Sequence, residues 1–152
     1  MKTGDYMKKI FIIMGLLMYA LSTQQSLAAP GGKPFAEEKI VLQISDADPE
    51  KQTLILNVSS NLIKYYGPDK VDIEIVAFGP GLRLLFKNNS NSERIDGLDE
   101  NGVRFAACQN TLDKMTSLLG EKPALNSKAS SVPAGVVRIV ELQNQGYKLI
   151  KP

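Results

Sequence analysis

The sequence of 152 residues contains no histidine, no tryptophan and a single cysteine. Each absence removes a class of chemistry. Without histidine there is no imidazole to act as a general base near neutral pH, and a histidine-based catalytic triad cannot be built. One cysteine with no histidine cannot furnish a structural zinc site, so no metal is expected. An intramolecular disulfide is excluded, which leaves the apolar core to hold the fold. Charge bias is missing too. The chain has 18 Lys+Arg against 16 Asp+Glu, and residues 1–28 hold three of the lysines and one of the aspartates, leaving 15 of each sign beyond them. No basic block remains to form the electrostatic footprint of a nucleic-acid binder. The loops also lack a G-x-G-x-x-G or P-loop pattern, so no nucleotide, flavin or other cofactor is expected.

What is present begins at the N-terminus. Lys2, Lys8 and Lys9 precede an uncharged apolar run from Ile10 to Leu21, and "STQQSLA" follows. This is the order of a secretory signal peptide, with Ser26 and Ala28 at the small-residue positions and cleavage expected after Ala28. Met7 is an alternative start, because "MKKIFIIMG" is a complete signal opening by itself. The apolar run is short of the ~20 residues that a membrane-spanning helix needs. The expected organisation is a signal peptide over 1–28, a flexible segment over 29–37 and one domain over 38–152. A periplasmic or secreted location follows, with no stable membrane insertion after cleavage.

Periodicity then alternates along the domain. "KIVLQIS" (Lys39 to Ser45) reads as a buried strand ended by "DADP". Pro49 suits the first turn of a helix, and Leu54, Val58, Leu62 and Tyr65 recur at helical spacing, as do Ile55, Leu62 and Tyr66, before Gly67-Pro68 stops it. "KVDIEIVAF" is a strand whose Asp72 and Glu74 make one face polar at its start, broken by Gly79-Pro80-Gly81. Two short helices, "LRLLFKNNS" and "SERIDGLDENG", follow, the second weakened by Gly97. Val103 to Ala107 is a third strand, and "QNTLDKMTSLLG" is the helix after it, with Asn110 or Thr111 as N-cap. A short strand near Val132, a helix through "GVVRIVELQNQG" and a last strand in "YKLIK" complete the chain. Strands alternating with helices predict a single-domain α/β fold with a mostly parallel five-stranded sheet covered on both faces.

Ligands of open parallel sheets bind beyond the carboxyl ends of the strands. Four loops lie there, each just before a helix: "SDADP", "FGPGL", "ACQN" and "VPAGV". Cys108 sits in the third. A thiol near a helix N-terminus can have a lowered pKa and carry sulfane sulfur as a persulfide, or it can pack as a small buried hydrophobe between Ala107 and its neighbours. Asp46, Gly79, Gly81 and Asn110 are the candidate ligand-binding residues around it. Asp46 and Asp48 read either as acid–base or cation-binding groups or as turn and cap residues, and their charge would oppose thiol ionisation if they lay close. Gly79-Pro80-Gly81 reads as an anion cradle or a plain tight turn. Asn57 and Asn61, four apart on one helix face, either bond a neighbouring loop or subunit or face solvent.

Taken together, these pieces resemble the DsrE/DsrF-like family. "KIVLQISDADPEKQTLILNVSSNLIKYYGPDKVDIEIVAFGPGLRLL" resembles its first half, "GVRFAACQNTLDKM" its strand-cysteine-helix segment, and "VPAGVVRIVELQNQGYKLIKP" its closing helix and strand. The resemblance covers residues 38 to 152. It implies a three-layer α/β/α sandwich, often assembled as trimers or hexamers. It also implies sulfur relay, in which a cysteine after the third strand accepts sulfur as a persulfide and passes it to a dedicated partner. Cys108 matches that position. The relay members work in the cytoplasm, a departure from the export expected here. The alternative is a non-catalytic oligomeric binding protein whose cysteine is structural.

Overall fold

The structure, a computed structural model, describes residues 31–152. The expected signal peptide, its cleavage point and the alternative start at Met7 lie outside the described residues. The elements run β1 (Glu38–Ile44), α1 (Pro49–Tyr66), β2 (Val71–Ala77), a 3-10 helix (Gly79–Leu85), α2 (Ser92–Glu100), β3 (Arg104–Cys108), α3 (Gln109–Leu119), β4 (Ala129–Val132), α4 (Gly135–Asn144) and β5 (Lys148–Ile150). The five strands form one sheet in the order β4-β3-β2-β1-β5, and every pairing is parallel.

This order decides where the helices go. The chain steps from β1 to β2, β3 and β4 in one direction. Right-handed crossovers therefore put α1, the 3-10 helix, α2 and α3 on one face. From β4 it runs back across the sheet to β5 beside β1, so α4 is carried to the opposite face. The two cores match. Ile55, Leu56, Leu82, Leu85, Ile95, Leu98 and Leu112 pack with Ile40, Leu42, Ile73, Ile75 and Phe105 on the crowded face. Ile139 and Leu142 of α4 pack with Val41, Val76, Ala106 and Tyr147 on the other.

Helix α1 starts as the sequence predicts. Asp48 is its N-cap and accepts a hydrogen bond from the Glu50 N–H at 2.9 Å, with Pro49 in the first turn. Of the two expected spacings, Ile55, Leu62 and Tyr66 face the core, whereas Leu54 and Tyr65 of the other are exposed; Leu56, Ser59 and Ile63 complete the buried stripe. Ser59 is tolerated there because its hydroxyl donates to the Ile55 carbonyl at 3.1 Å. The short helix expected over "LRLLFKNNS" is instead a 3-10 helix that begins at Gly79 and ends before Phe86. Phe86 turns away to bridge Leu125.

The largest departure is in β2, which is buried along its whole length. Asp72 and Glu74 are 0% and 2% exposed, where the sequence pattern suggested a polar face. As the central strand it is covered on both sides, so its acids must be paired. Arg138 of α4 grips Glu74 bidentately, Nε to Oε1 at 2.6 Å and Nη2 to Oε2 at 2.8 Å. Arg104 of β3 donates to Glu74 at 3.1 Å and also to Asp72. The Tyr147 hydroxyl donates to Asp72 at 2.5 Å and accepts from Arg104 at 3.0 Å. Burial, then this bond to Asp72, push the Tyr147 phenol up to about 12. Of the segment expected at 29–37, Gly31 and Lys33 are bound back onto this cluster. The Lys33 amide donates to Asp72 at 2.8 Å, and the Gly31 carbonyl accepts from Arg104 at 3.1 Å.

Candidate functional site

In an open parallel sheet, a crevice forms where neighbouring strands send their connections over opposite faces. Here that switch point lies between β3 and β4. The chain leaves β3 through α3 over one face and leaves β4 through α4 over the other. Cys108 is the last residue of β3, paired in register with Val132, the last residue of β4. The only cysteine thus stands at the one place in this topology where a ligand crevice is built in. Local periodicity offers four such loops and singles out the third only through its cysteine, because strand order is not visible in it.

Cys108 is also the N-cap of α3. Asn110 and Thr111, expected as caps, lie inside the first turn, because the strand runs one residue further than predicted and the helix starts at Gln109. On alternation with Ala106, the thiol faces the α4 side of the sheet. There it meets the start of α4. A Cβ placed on Gly135 would come within 3.3 Å of the Cys108 Cβ and 3.0 Å of Phe78, so any side chain there would push these neighbours back by a few tenths of an ångström. The loop before α4 is tied to α3 by the Asn110 N–H, which donates to the Pro133 carbonyl at 3.3 Å.

The thiol is 5% exposed. Burial by itself pushes a thiol's pKa up. It is outweighed by the Thr111 hydroxyl and by the backbone N–H groups of Gly135, Thr111 and Asn110, which hold Cys108 below the ordinary thiol value. The Cys108 side chain accepts no capping hydrogen bond. The lowering comes from polar groups at the N-termini of two helices, the positive ends of both dipoles. The main causes of this lowering are neutral donors, not charged side chains. The Thr111 hydroxyl is itself oriented, since Thr111 Oγ1 accepts the Gly79 N–H at 3.0 Å. That bond occupies a lone pair and leaves the hydroxyl proton free to point at the sulfur.

The other candidates divide. Gly79 and Asn110 are brought to the thiol, Gly79 through Thr111 and Asn110 as its near neighbour. Gly81 has a packing role: a Cβ there would lie 2.5 Å from the Ile44 carbonyl oxygen, so the turn rides directly on the end of β1. Asp46 lies two strands away from β3, ~10 Å at the usual inter-strand spacing. It accepts from the Asp48 N–H at 3.1 Å and pairs with Lys51, which lowers its pKa chiefly through that side-chain hydrogen bond. At that distance its exposed, Lys51-paired charge is largely screened from Cys108. Asn57 bonds a neighbouring element: its Oδ1 accepts from Arg94 of α2 at 2.7 Å. Sequence reasoning missed Thr111 as a thiol partner and Gly135 as a close approach. The N-cap+3 spacing of Thr111 from Cys108 is the signal that could have found the first.

Among the described residues, no group of three or more His, Cys, Asp or Glu could hold a metal ion, and no helix is long and apolar enough to cross a membrane. With a thiol, backbone amides and hydroxyls, the crevice can stabilise a thiolate or a persulfide anion; it holds no second nucleophile or acid.

Comparison with known proteins agrees with this geometry. Residues 38–152 match the DsrE/DsrF-like family. The chain is similar to MTH1491 from Methanobacterium thermoautotrophicum, a protein of unknown function: 30% identity, a TM-score of 0.68, and coverage of 76% of this chain and 99% of that one. It is similar at 14% identity and a TM-score of 0.49 to BT1422 from Bacteroides thetaiotaomicron, also of unknown function, over 78% of this chain and 98% of that one. No curated protein matches. By its sequence over 38–152 and its all-parallel α/β fold, the chain belongs to the DsrE/DsrF-like family, which suggests a sulfur-relay-related role.

Proposed function

We propose that this protein is an exported sulfur carrier that binds sulfane sulfur on Cys108. The observation that carries the reading is the convergence of two helix N-termini on one thiol at the topological switch point, lowering its pKa against the effect of burial. A thiolate is the nucleophilic form. Attack on the outer sulfur of a persulfide donor, R–S–SH, forms the Cys108 Sγ–S bond and breaks the donor S–S bond. The electron pair leaves with the donor as RS⁻, and the outer sulfur keeps its proton as Cys108–S–SH. Passing the sulfur to an acceptor thiolate reverses the same exchange, with no net oxidation. Export is supported by the charged, apolar and small-residue order of residues 1–28. Assembly into a homo-oligomer is supported by Val136, Val137 and Val140 of α4, each exposed by half or more on a sheet face that one helix covers.

Treating the purified protein with polysulfide should add about 32 Da, the mass of one sulfur, removable by a reducing agent. Cys108→Ser should abolish the gain completely. No gain in a protein whose thiol is free would overturn the carrier reading. The second reading, a structural cysteine in an oligomeric binding protein, is favoured by the 5% exposure of Cys108. It predicts that Cys108→Ser changes stability and nothing else.

A further inference from the structure

We propose that the groove between α1 and α2 is a docking site for an acidic segment of a partner protein. The groove lies on the sheet face away from α4 and encloses about 340 Å³. Its walls are Lys64 of α1 and Arg94 of α2, with the partly buried Ile63 between them above the core residue Leu98. Among the described residues, neither cation forms an ion pair with a carboxylate.

Arg94 is nevertheless held in place. Its Nη2 donates to Asn57 Oδ1 at 2.7 Å and its Nη1 to Asn91 Oδ1 at 3.5 Å. Both acceptors are neutral amides. They orient the guanidinium fork without cancelling its charge, which is pre-organisation for a carboxylate. This assigns Asn57, which the thiol site leaves unused, a positioning role.

Gly97 supplies an independent observation. It lies inside α2, where glycine is the poorest helix former short of proline. Its φ is not positive, and a Cβ there would meet no atom within 4 Å. Neither backbone conformation nor packing requires glycine at this position. What its missing side chain does is keep the groove open beside Arg94. Two cations on opposite walls with Ile63 between them match a carboxylate–apolar–carboxylate pattern in an extended chain. A free inorganic anion would leave the exposed part of Ile63 uncovered.

An amide NMR titration of the purified protein with a capped peptide of alternating Glu and Leu tests this. The expected result is saturable shifts at Ser60, Lys64, Gly97 and Asn101. Arg94→Gln should weaken binding about tenfold, as loss of a charge-assisted pair does. Gly97→Leu should abolish binding while leaving the melting temperature unchanged or higher, since a Cβ there meets no atom within 4 Å and leucine is the better helix former. The proposal is overturned if the matched Gln–Leu peptide shifts the same amides equally, or if phosphate at equal concentration displaces the peptide. It is equally overturned if no groove amide moves at millimolar peptide, or if Gly97→Leu binds as well as the parent. None of these outcomes depends on the state of Cys108.

Discussion

Arg104→Met lowers the unfolding free energy by about 3 kcal/mol in denaturant titration, the scale for breaking a buried ion pair from one side. Methionine keeps much of the volume and removes the charge. Asp72, fully buried, is then left with the Tyr147 hydroxyl and the Lys33 amide, neither of which carries a compensating charge on the bonding group. Glu74 keeps Arg138. The loss is therefore centred on Asp72, and adding Asp72→Asn to Arg104→Met should recover part of it, because no isolated charge then remains. A single-variant loss under ~1 kcal/mol would place the cluster in the weak class of solvated pairs instead.

The second large effect is at Thr111. Thr111→Val keeps the shape and removes the one hydroxyl that can donate to the sulfur. A hydrogen bond to a charged group is worth about 1.5 kcal/mol, so the thiolate fraction at neutral pH, and with it the alkylation rate of Cys108, should fall roughly tenfold. Thr111→Ser should retain the parent rate. The variant also leaves the Gly79 N–H without its acceptor, a stability cost of about 1 kcal/mol that is read separately by thermal unfolding. Equal alkylation rates in Thr111→Val and the parent would remove Thr111 from the site.

The succession of strands and helices was legible because each element repeats its apolar residues at its own period, and Pro49, Gly67 and Gly120 punctuate it where the helices begin and end. Cys108 was legible as a strand–helix junction for the same reason. Three features were not. Strand order depends on pairings between distant segments, so the switch point that singles out Cys108 from the other three loops is invisible to local periodicity. Asp72 and Glu74 look like an exposed face until Arg104, Arg138 and Tyr147, from three other parts of the chain, are brought onto them. Cysteine is not among the preferred N-caps, so Asn110 and Thr111 were expected there instead. The structure gives the cap position to Cys108, and the Thr111 hydroxyl and nearby amide donors lower its pKa without forming a capping hydrogen bond.

The central claim is that these donors make Cys108 a thiolate more readily than an ordinary thiol. The direct test is the pH dependence of Cys108 alkylation by iodoacetamide, followed by mass in the folded protein and in the same chain unfolded in urea. The account predicts one titration in the folded protein, with its midpoint below that of the unfolded chain, whose thiol should titrate at the ordinary ~8.5. A folded midpoint at or above the unfolded one, or labelling that appears only when the protein unfolds, would contradict it.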